Sequence, residues 1–270
     1  TEDGRIFEGQ LSADGSSIWI EGDKTVKIPR SDVLSVLAVD GDGISTWSGE
    51  VSAGIAIRTG NTEQTDYSAV LAATRETART RWASRYSGAI SQVNGTETAN
   101  NHRIGSTYDL FVTKRTFFTV PGVDIYRDPF QNIGVRVTPY AAIGYEVVDT
   151  ADHMLAVSAG PAFQYQRFDS ELASGGATDS SFAGVFSTLY DWDITGDVEF
   201  NAKYNITVPM PDIDEYNHNV VGTLSVDLSG DLDLDFSVTW DRINSPEANS
   251  SGIVPKKDDF RMTIGVGWTF

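Results

Sequence analysis

The sequence predicts an all-β fold: a transmembrane antiparallel β-barrel of about twelve strands with a small N-terminal periplasmic β module. Three observations support this prediction. Apolar and polar residues alternate through long segments after Trp47, short and long connections alternate between these segments, and tryptophans fall at segment ends. The segments exceed the five to six residues that are usual for a soluble strand, and they reach the roughly nine to eleven that a tilted strand needs to cross a bilayer.

Composition narrows the classes of partner and chemistry. The chain has 270 residues, a formal net charge of −18 and a pI near 4.4. This acidity argues against nucleic acid as a partner, because phosphate binding requires a basic surface. The absence of cysteine excludes a disulfide framework, a thiolate nucleophile and a cysteine-based zinc site. No apolar run of about 18 residues is present, so the sequence predicts no transmembrane helix.

Residues 1–43 are predicted to form a small β module and a linker. Three apolar runs, Ile6–Phe7, Ile18–Ile20 and Val26–Ile28, are separated by the turn sequences ADGS and EGDK. The segment Ser31–Val36 is expected to add a turn of helix or a last strand, and VDGDGIST to act as the linker. So short a chain buries little core, so this SH3-like pattern would be completed by docking or by another chain. The alternative is that part of it is a disordered periplasmic extension.

Residues 47–270 are predicted to form the barrel. Nearly all of this region alternates with period two and is interrupted by Gly, Asn, Asp and Pro. The predicted strands cover 47–59, 64–76, 81–92, 100–113, 116–126, 134–147, 153–167, 181–192, 197–208, 218–229, 231–242 and 259–270.

The connections between the predicted strands indicate the orientation of the barrel. Those after even-numbered strands are short, such as TKR and DTAD, whereas DSELASGGATDSS, PMPDIDEYNHN and NSPEANSSGIVPKKDD lie on the opposite side. NGTETAN and RDPFQN are expected to be connections of intermediate length, and GNTE is short. Outer-membrane barrels have short periplasmic turns and longer outer loops. With an even number of strands, both termini are therefore predicted to be periplasmic.

The tryptophans agree with this orientation. Trp47 and Trp82 begin odd-numbered strands, and Trp192 and Trp268 end even-numbered strands, so all four are expected at the periplasmic rim. Trp240 is expected at the opposite rim. Aromatic girdles at both interfaces are typical of membrane barrels. The alternative is a set of core tryptophans in a soluble β-sandwich.

The last predicted strand carries an outward apolar row that ends at Phe270. Alternate residues from Phe260 onward would face lipid, and pairing of this strand with the first would leave no strand edge in the membrane. The row also resembles the C-terminal signal of bacterial outer-membrane proteins, which implies the barrel-assembly machinery as a partner. The residues of this expected assembly signal are Ile264, Val266, Trp268 and Phe270.

Three stretches in this order resemble one known family. They are WSGEVSAGIAIRTGNTEQTDY at 47–67, YRDPFQNIGVR at 126–136, and GYEVVDTADHMLAVSAGPAFQYQRFD at 144–169. Together they resemble the YdiY-like family of salt-induced outer-membrane proteins, whose function is unknown. The resemblance implies a barrel in the outer membrane of Gram-negative bacteria, and it supplies no substrate, ligand or catalytic residue. The glycine–asparagine and aspartate–proline pairs in these stretches are explained by turn geometry.

An outer-membrane lipid hydrolase is the alternative from a different functional class. Twelve-stranded outer-membrane barrels include phospholipases, whose chemistry needs an outward-facing Ser and His near the outer leaflet. His153 is predicted on the periplasmic side, and His102 and His218 begin strands near the outer rim without a GxSxG context. The sequence therefore predicts no catalytic residue and no enzyme activity.

One acidic cluster is a weak candidate for a metal site. Asp212, Asp214 and Glu215 lie in PMPDIDEY on a predicted outer loop. Oxygen ligands at this spacing suit Ca²⁺ or a cation that bridges lipopolysaccharide, but no EF-hand spacing is present and solvated loop acids are commoner. The sequence therefore predicts no metal and no cofactor.

Alternation places two opposed groups of charged residues on the inner wall, interrupted by Lys203, Asp109 and Glu146. Opposed charges either line a hydrated channel or interlock as ion pairs in an occluded barrel, since a buried arginine needs a partner. The basic arc consists of Arg58, Arg81, Arg85, Arg103, Arg136 and Arg261, and the acidic arc consists of Glu199, Asp227, Asp233, Asp235 and Asp241.

These features predict a narrow passive channel or an envelope structural protein. A further alternative is a binding or docking protein that uses the long outer loops or the N-terminal module. The expected partners are outer-membrane lipid, lipopolysaccharide, and small solutes or ions.

Overall fold

The structure, a computed structural model, describes residues 5, 7, 9–13, 16–22, 24–33, 47–60, 62–77, 79–150, 152–172, 175–229 and 231–269. Within these residues the chain forms a small sheet and a closed barrel. Helices long and apolar enough to cross a membrane are absent from these ranges. The predicted linker, and the part of Ser31–Val36 beyond Val33, lie outside the described residues.

The N-terminal sheet is an antiparallel meander of β1 (Gln10–Ala13), β2 (Ser17–Glu21) and β3 (Thr25–Pro29), followed by a short 3-10 helix at Arg30–Asp32. Ile18 and Ile28 are cross-strand partners and form its buried centre. Of the first apolar run, Ile6–Phe7, Phe7 lies outside the sheet and Ile6 is outside the described residues. The first strand is instead Gln10–Ala13, which pairs with Ile18–Glu21 of β2.

The barrel contains twelve strands within the described residues, each hydrogen-bonded to its antiparallel neighbours. Each lies within about four residues of its predicted bounds, and closure of the sheet satisfies the backbone polar groups that a membrane cannot. The strands are β4 (Trp47–Arg58), β5 (Gln64–Glu76), β6 (Thr80–Val93), β7 (Thr96–Phe111), β8 (Thr116–Asp128), β9 (Ile133–Asp149), β10 (His153–Phe168), β11 (Thr178–Thr195), β12 (Val198–Met210), β13 (Asn217–Ser229), β14 (Leu232–Ile243) and β15 (Asp258–Thr269).

The two ends of the barrel differ in their connections. The terminal rim, where β4 begins and β15 ends, has short connections, whereas the loop rim carries the longer segments 169–177, 211–216 and 244–257. The prediction that NGTETAN is an intermediate connection is wrong, because Asn94 and Gly95 form a two-residue turn and β7 begins at Thr96. Both turn residues have positive φ, 51° and 76°, which is the backbone that a tight type I′ hairpin requires.

The outer face of the barrel is an apolar band. Met262 on β15 is 82% exposed, and its strand neighbours Phe260 and Ile264 are also exposed. A continuous apolar surface of this extent marks a membrane or partner interface, and a band around a closed antiparallel barrel is the mark of a transmembrane barrel of the outer-membrane type. Other members of the band are Ile57, Leu71, Ile143, Phe186 and Phe236.

Aromatic side chains gather at both rims. At the terminal rim, the Trp47 and Trp82 rings meet edge to face with centroids 5.8 Å apart, and Trp192 stacks on His153. At the loop rim, the Trp240 ring lies between those of Phe260 and His218. This distribution is that of the interfacial girdles of membrane barrels.

The barrel closes where β15 pairs with β4. The register joins Val266, Gly267, Trp268 and Thr269 to Ala53, Ser52, Val51 and Glu50, so the ladder occupies the half of the seam near the terminal rim. Ile264, Val266 and Trp268 of the expected assembly signal face outward and are exposed. Phe270, the last residue of that signal, lies outside the described residues.

Candidate functional site in the barrel interior

The inner wall of the barrel is polar because alternation sends every second side chain inward. On β14, Asp233 and Asp235 are each 5% exposed, whereas their outward neighbour Phe236 is 40% exposed. The buried polar positions continue around the ring through Thr138, Gln164 and Thr223. The interior is therefore the part of the molecule where charged and hydrogen-bonding groups meet away from lipid.

A single arginine joins nearly opposite walls. Arg103 Nη1 on β7 donates to Asp124 Oδ1 on the neighbouring β8 at 3.0 Å, and Arg103 Nη2 donates to Asp241 Oδ1 on β14 at 2.8 Å. The strands of Arg103 and Asp241, β7 and β14, lie five positions apart in a ring of twelve. The order between them is β14, β15, β4, β5, β6 and β7. The guanidinium carbon also lies 4.3 Å from the centre of the Tyr126 ring. We call Arg103, Asp124 and Asp241 the cross-barrel latch.

Arg81 is held by acids from two other strands. Its Nε donates to Asp109 Oδ2 at 3.2 Å, and its Nη1 lies 3.4 Å from Glu146 Oε1 on β9. Thr119 Oγ1 donates to the second oxygen of Asp109 at 2.7 Å, which completes the bonding of that buried carboxylate. Asp109 and Glu146, the two acids that interrupt the predicted pattern of charges, are therefore the ion-pair partners of Arg81.

Arg85 and Arg261 also bond across strands. Arg85 Nη1 lies 3.0 Å from Glu50 Oε2 on β4, and Arg261 Nη1 donates to Asn101 Oδ1 on β7. Lys203, the cation inside the predicted acidic arc, faces the interior beside Arg103 and takes part in no ion pair within the described residues. Sequence reasoning missed Glu50 and Asp124 as partners, although both sit at inward positions of their strands.

The acidic arc lies on β12 to β14. Asp241 also accepts a hydrogen bond from Asn219 Nδ2 at 2.9 Å, and Asp235 accepts one from Ser225 Oγ at 2.7 Å. Asp227 and Asp233 are direct cross-strand partners, so two like charges face each other near the terminal rim. Glu199 lines the opening at that same rim. Of the basic arc, Arg58 lies exposed at the loop-rim end of β4 and Arg136 lies in the loop-rim half of β9.

The barrel contains several cavities. A cavity of about 110 Å³ lies against Arg85, Arg103 and Lys203, and one of about 50 Å³ lies between Arg103 and Tyr140. A larger cavity of about 340 Å³ lies under the loops at the loop rim, and an open recess of about 660 Å³ lies at the terminal rim beside Asp193. Arg103 and Asp124 of the cross-barrel latch border both of the small cavities.

The loops at the loop rim are tied to one another. Asp128 Oδ1 accepts hydrogen bonds from the Phe130 and Gln131 amides, which fixes the Asp-Pro turn, and Asn132 Oδ1 accepts from Ser170 N at 2.8 Å. Leu172 forms an isolated antiparallel bridge with Asn249, so segments 169–177 and 244–257 meet over the mouth. The loop rim is therefore partly covered.

The acidic loop cluster does not form a metal site in the described residues. Asp212, Asp214 and Glu215 lie around a short 3-10 helix, where the Asp214 carbonyl accepts hydrogen bonds from Asn244 and Ser245. No group of three potential ligands gathers in the part of the chain that the structure describes. Partial burial, with repulsion from Asp212, Asp179 and Glu247, raises the pKa of Glu215.

The histidines face outward and bond to tyrosines. Within the described residues, no hydrogen bond joins a histidine to a serine. The Nδ1···Oη pairs are His102 with Tyr86 at 2.9 Å, His153 with Tyr190 at 3.0 Å, and His218 with Tyr204 at 2.6 Å.

Comparison with known proteins gives one family. A family profile described as "Protein of unknown function, DUF481" matches residues 51–270, which agrees with the resemblance to the YdiY-like family. No curated protein matches the chain.

Several solved structures resemble the chain at low sequence identity. The NanC porin is 14% identical, with 82% of this chain and 98% of that chain covered and a TM-score of 0.49. The translocator domain of the autotransporter NalP from Neisseria meningitidis is 10% identical, with 86% and 91% covered and a TM-score of 0.45. The CymD monoaromatic hydrocarbon channel is 8% identical, with 94% and 80% covered and a TM-score of 0.35. Likenesses at this level carry no information on function.

Proposed function

The chain belongs to the DUF481 family, described as proteins of unknown function, and we propose that it is an outer-membrane β-barrel that acts as a narrow passive channel, constricted by interlocked charged side chains. The observation that carries this proposal is the ion pair between Arg103 and Asp241, which connects nearly opposite walls of the lumen at 2.8 Å.

The latch explains why the passage is narrow. Arg103 borders both small cavities, and the 340 Å³ cavity lies apart from them toward the loop rim. A solute that crosses the barrel must therefore pass a charged, hydrogen-bonded constriction. Such constrictions select by pore width and charge, so this one favours water and small ions over large solutes.

The ionic character of the interior supports a channel more than an inert scaffold. A buried ion pair can often be replaced by packed apolar residues without loss of stability, because desolvation of the charges offsets their attraction. A barrel needed only as a scaffold gains little from Arg81, Arg85 and Arg103 in its centre. An envelope structural protein is the second candidate, favoured by the pairing of each of these arginines with an acid.

The remaining features of the proposal follow the general architecture of such barrels. We propose that the terminal rim with its short turns faces the periplasm, together with both termini, and that the longer loops face outward, as in other outer-membrane barrels. The apolar band contacts outer-membrane lipid, the loop rim contacts lipopolysaccharide, and the barrel-assembly machinery inserts the chain. The proposal includes no nucleic acid partner and no enzyme activity. It also includes salt-induced expression, which the resemblance to the YdiY-like family implies.

Recording from the purified full-length protein in planar bilayers tests the channel proposal. We expect small, discrete conductance steps in molar salt, because the latch restricts the lumen without sealing every cavity. A protein that is folded, as judged by heat-modifiable gel mobility, and that gives no steps at any voltage would favour the structural role instead.

A further inference from the structure

The cavity of about 340 Å³ at the loop rim has the composition of a ligand site. Its volume falls at the lower end of the range of small-molecule pockets, about 300–1,000 Å³. It is enclosed by the loop-rim ends of β9 to β12 and by segments 211–216 and 244–257. Hydrogen bonds join these two segments. It lies apart from the cross-barrel latch.

The floor of this cavity presents unused donors. Arg136 is 7% exposed, and its Nε donates to Gln166 Oε1 at 2.7 Å. Within the described residues, its two terminal nitrogens make no hydrogen bond and no carboxylate lies within ion-pair distance. Because arginine offers only donors, its bond fixes the orientation of Gln166, whose amide nitrogen is also without a partner in those residues. A buried guanidinium in this state requires an anionic partner.

Arg136 and Arg103 lie on the same wall but differ in their partners. Arg103, Tyr126 and Arg136 form one cross-strand row on β7, β8 and β9. Arg103 bonds to two carboxylates, whereas Arg136 bonds to an amide. The same wall therefore contains one compensated arginine and one arginine that opens onto a cavity.

The mouth of the cavity has the opposite charge. Asp179 at the start of β11 and acids from the two loops line it, so several carboxylates surround one opening. Burial, and after it repulsion from these carboxylates, raises the pKa of Glu215. Gln131 Oε1, also on the lining, is buried without a hydrogen-bond partner. Carboxylates and an unused acceptor are suited to a cationic N–H group. The loop acids are Asp212, Glu215 and Glu247.

We infer that this cavity binds a small zwitterion of the amino-carboxylate class, with its carboxylate on Arg136 and its ammonium group among the carboxylates at the mouth. A simple anion would satisfy Arg136 but would be repelled by the acids. A simple cation would satisfy the acids but would leave Arg136 unpaired. A zwitterion with a few carbon atoms between its charges complements both ends of the cavity.

Binding of three probes of similar size tests this inference. The full-length protein in a non-ionic detergent is titrated calorimetrically with 4-aminobutyrate, butyrate and butylammonium. We expect 4-aminobutyrate to bind more tightly than either singly charged probe. Arg136→Gln should weaken binding of 4-aminobutyrate at least about tenfold, since hydrogen bonds between charged groups are stronger than those between neutral groups. Arg167→Gln, on the outer face of the same strand pair, is the matched control and should bind normally.

A second variant tests the ammonium end of the site separately, and it keeps the test valid if Arg136→Gln does not fold. Glu215→Gln on the loop should weaken 4-aminobutyrate but not butyrate. The inference would be overturned by equal affinity for butyrate and 4-aminobutyrate, or by the absence of binding of every probe at millimolar concentration. It would also be overturned if Glu215→Gln left the preference for 4-aminobutyrate over butyrate unchanged. Binding is measured without ion flow, so a barrel that fails to conduct leaves this result unaffected.

Discussion

Asp241 on β14 accepts a hydrogen bond from Arg103 on β7 at 2.8 Å, although the two residues are 138 positions apart in the chain. They meet because the sheet closes on itself and brings β7 nearly opposite β14. The same guanidinium bonds to Asp124, so one side chain connects two adjacent strands with the far wall. This ion pair spans the lumen and defines its constriction.

The lipid and lumen faces of β14 provide a first prediction. Phe236→Arg should destabilise the barrel in bilayers by about 2–4 kcal/mol, since that is the cost of arginine on a lipid face near the midplane. Asp235→Asn, one position away on the inner face, keeps the hydrogen bond from Ser225 Oγ to its carbonyl oxygen and should have a much smaller effect. Urea unfolding from lipid vesicles measures both. Similar losses of stability would mean that the register is wrong by one residue.

The agreement between sequence and structure is best where one face meets lipid. Alternation is enforced there, because a polar group in hydrocarbon costs several kcal/mol, so Phe236, Phe260 and Met262 could be placed from the pattern alone. The pattern does not reveal the turn at Asn94-Gly95, because five of the six residues from Thr96 to Asn101 are polar and resemble a loop. Lengths of strands that extend beyond the membrane are not constrained by the hydrophobic pattern.

The pairing of the charges could not be predicted in the same way. Inward positions follow from alternation, but the partner of each arginine depends on the shear of the barrel and on side-chain reach across the lumen. Glu50 is an example: it lies two strands from Arg85, with β5 between them. A search for inward acids on every strand, rather than on the most acidic strands, would have included Glu50 and Asp124.

The C-terminal aromatic residue provides a second prediction. Deletion of Phe270 should lower the amount of heat-modifiable barrel in outer membranes, because it removes the last residue of the expected assembly signal, whose members Val266 and Trp268 face outward. Phe270→Tyr keeps an aromatic terminus and should assemble at nearly the normal yield. Equal yields of the deletion and the parent would contradict a role of this residue in assembly.

The charged side chains beside the 110 Å³ cavity provide a third prediction, which concerns ion selectivity. It is tested in the Asp241→Asn variant, in which the ion pair between Arg103 and Asp241 is removed. Adding Arg85→Gln removes the partner of Glu50 and leaves an uncompensated negative charge on the wall. The reversal potential in a salt gradient should then shift toward cation preference, since wall charges tune the selectivity of pores. Arg75→Gln, which is exposed near the terminal rim, is the control. A shift of equal size in the control would show that the lumen charge does not govern selectivity.

The raised pKa of Glu215 provides a fourth prediction, for pH dependence. A carboxyl whose folded-state pKa is raised disfavours the folded loop when it is ionised, so stability increases as pH falls through the raised value toward the ordinary value near 4.3. Hydrogen-exchange protection of segment 211–216, corrected for the intrinsic rate, should therefore rise as pH falls from neutral toward the ordinary carboxyl value. Glu215→Gln should show high protection throughout. A pH response that persists in this variant would assign the effect to another group.

The cross-barrel latch provides the fifth prediction and the most direct test of the channel. Asp241→Asn weakens one end of the latch but leaves Arg103 paired with Asp124, so the barrel should still fold. Asp233→Asn makes the same change on the same face of β14, where the described residues show no arginine partner. Single-channel conductance in planar bilayers is compared among the parent and both variants. The account predicts a larger or more frequently open conductance for Asp241→Asn alone; identical traces from all three proteins would contradict it.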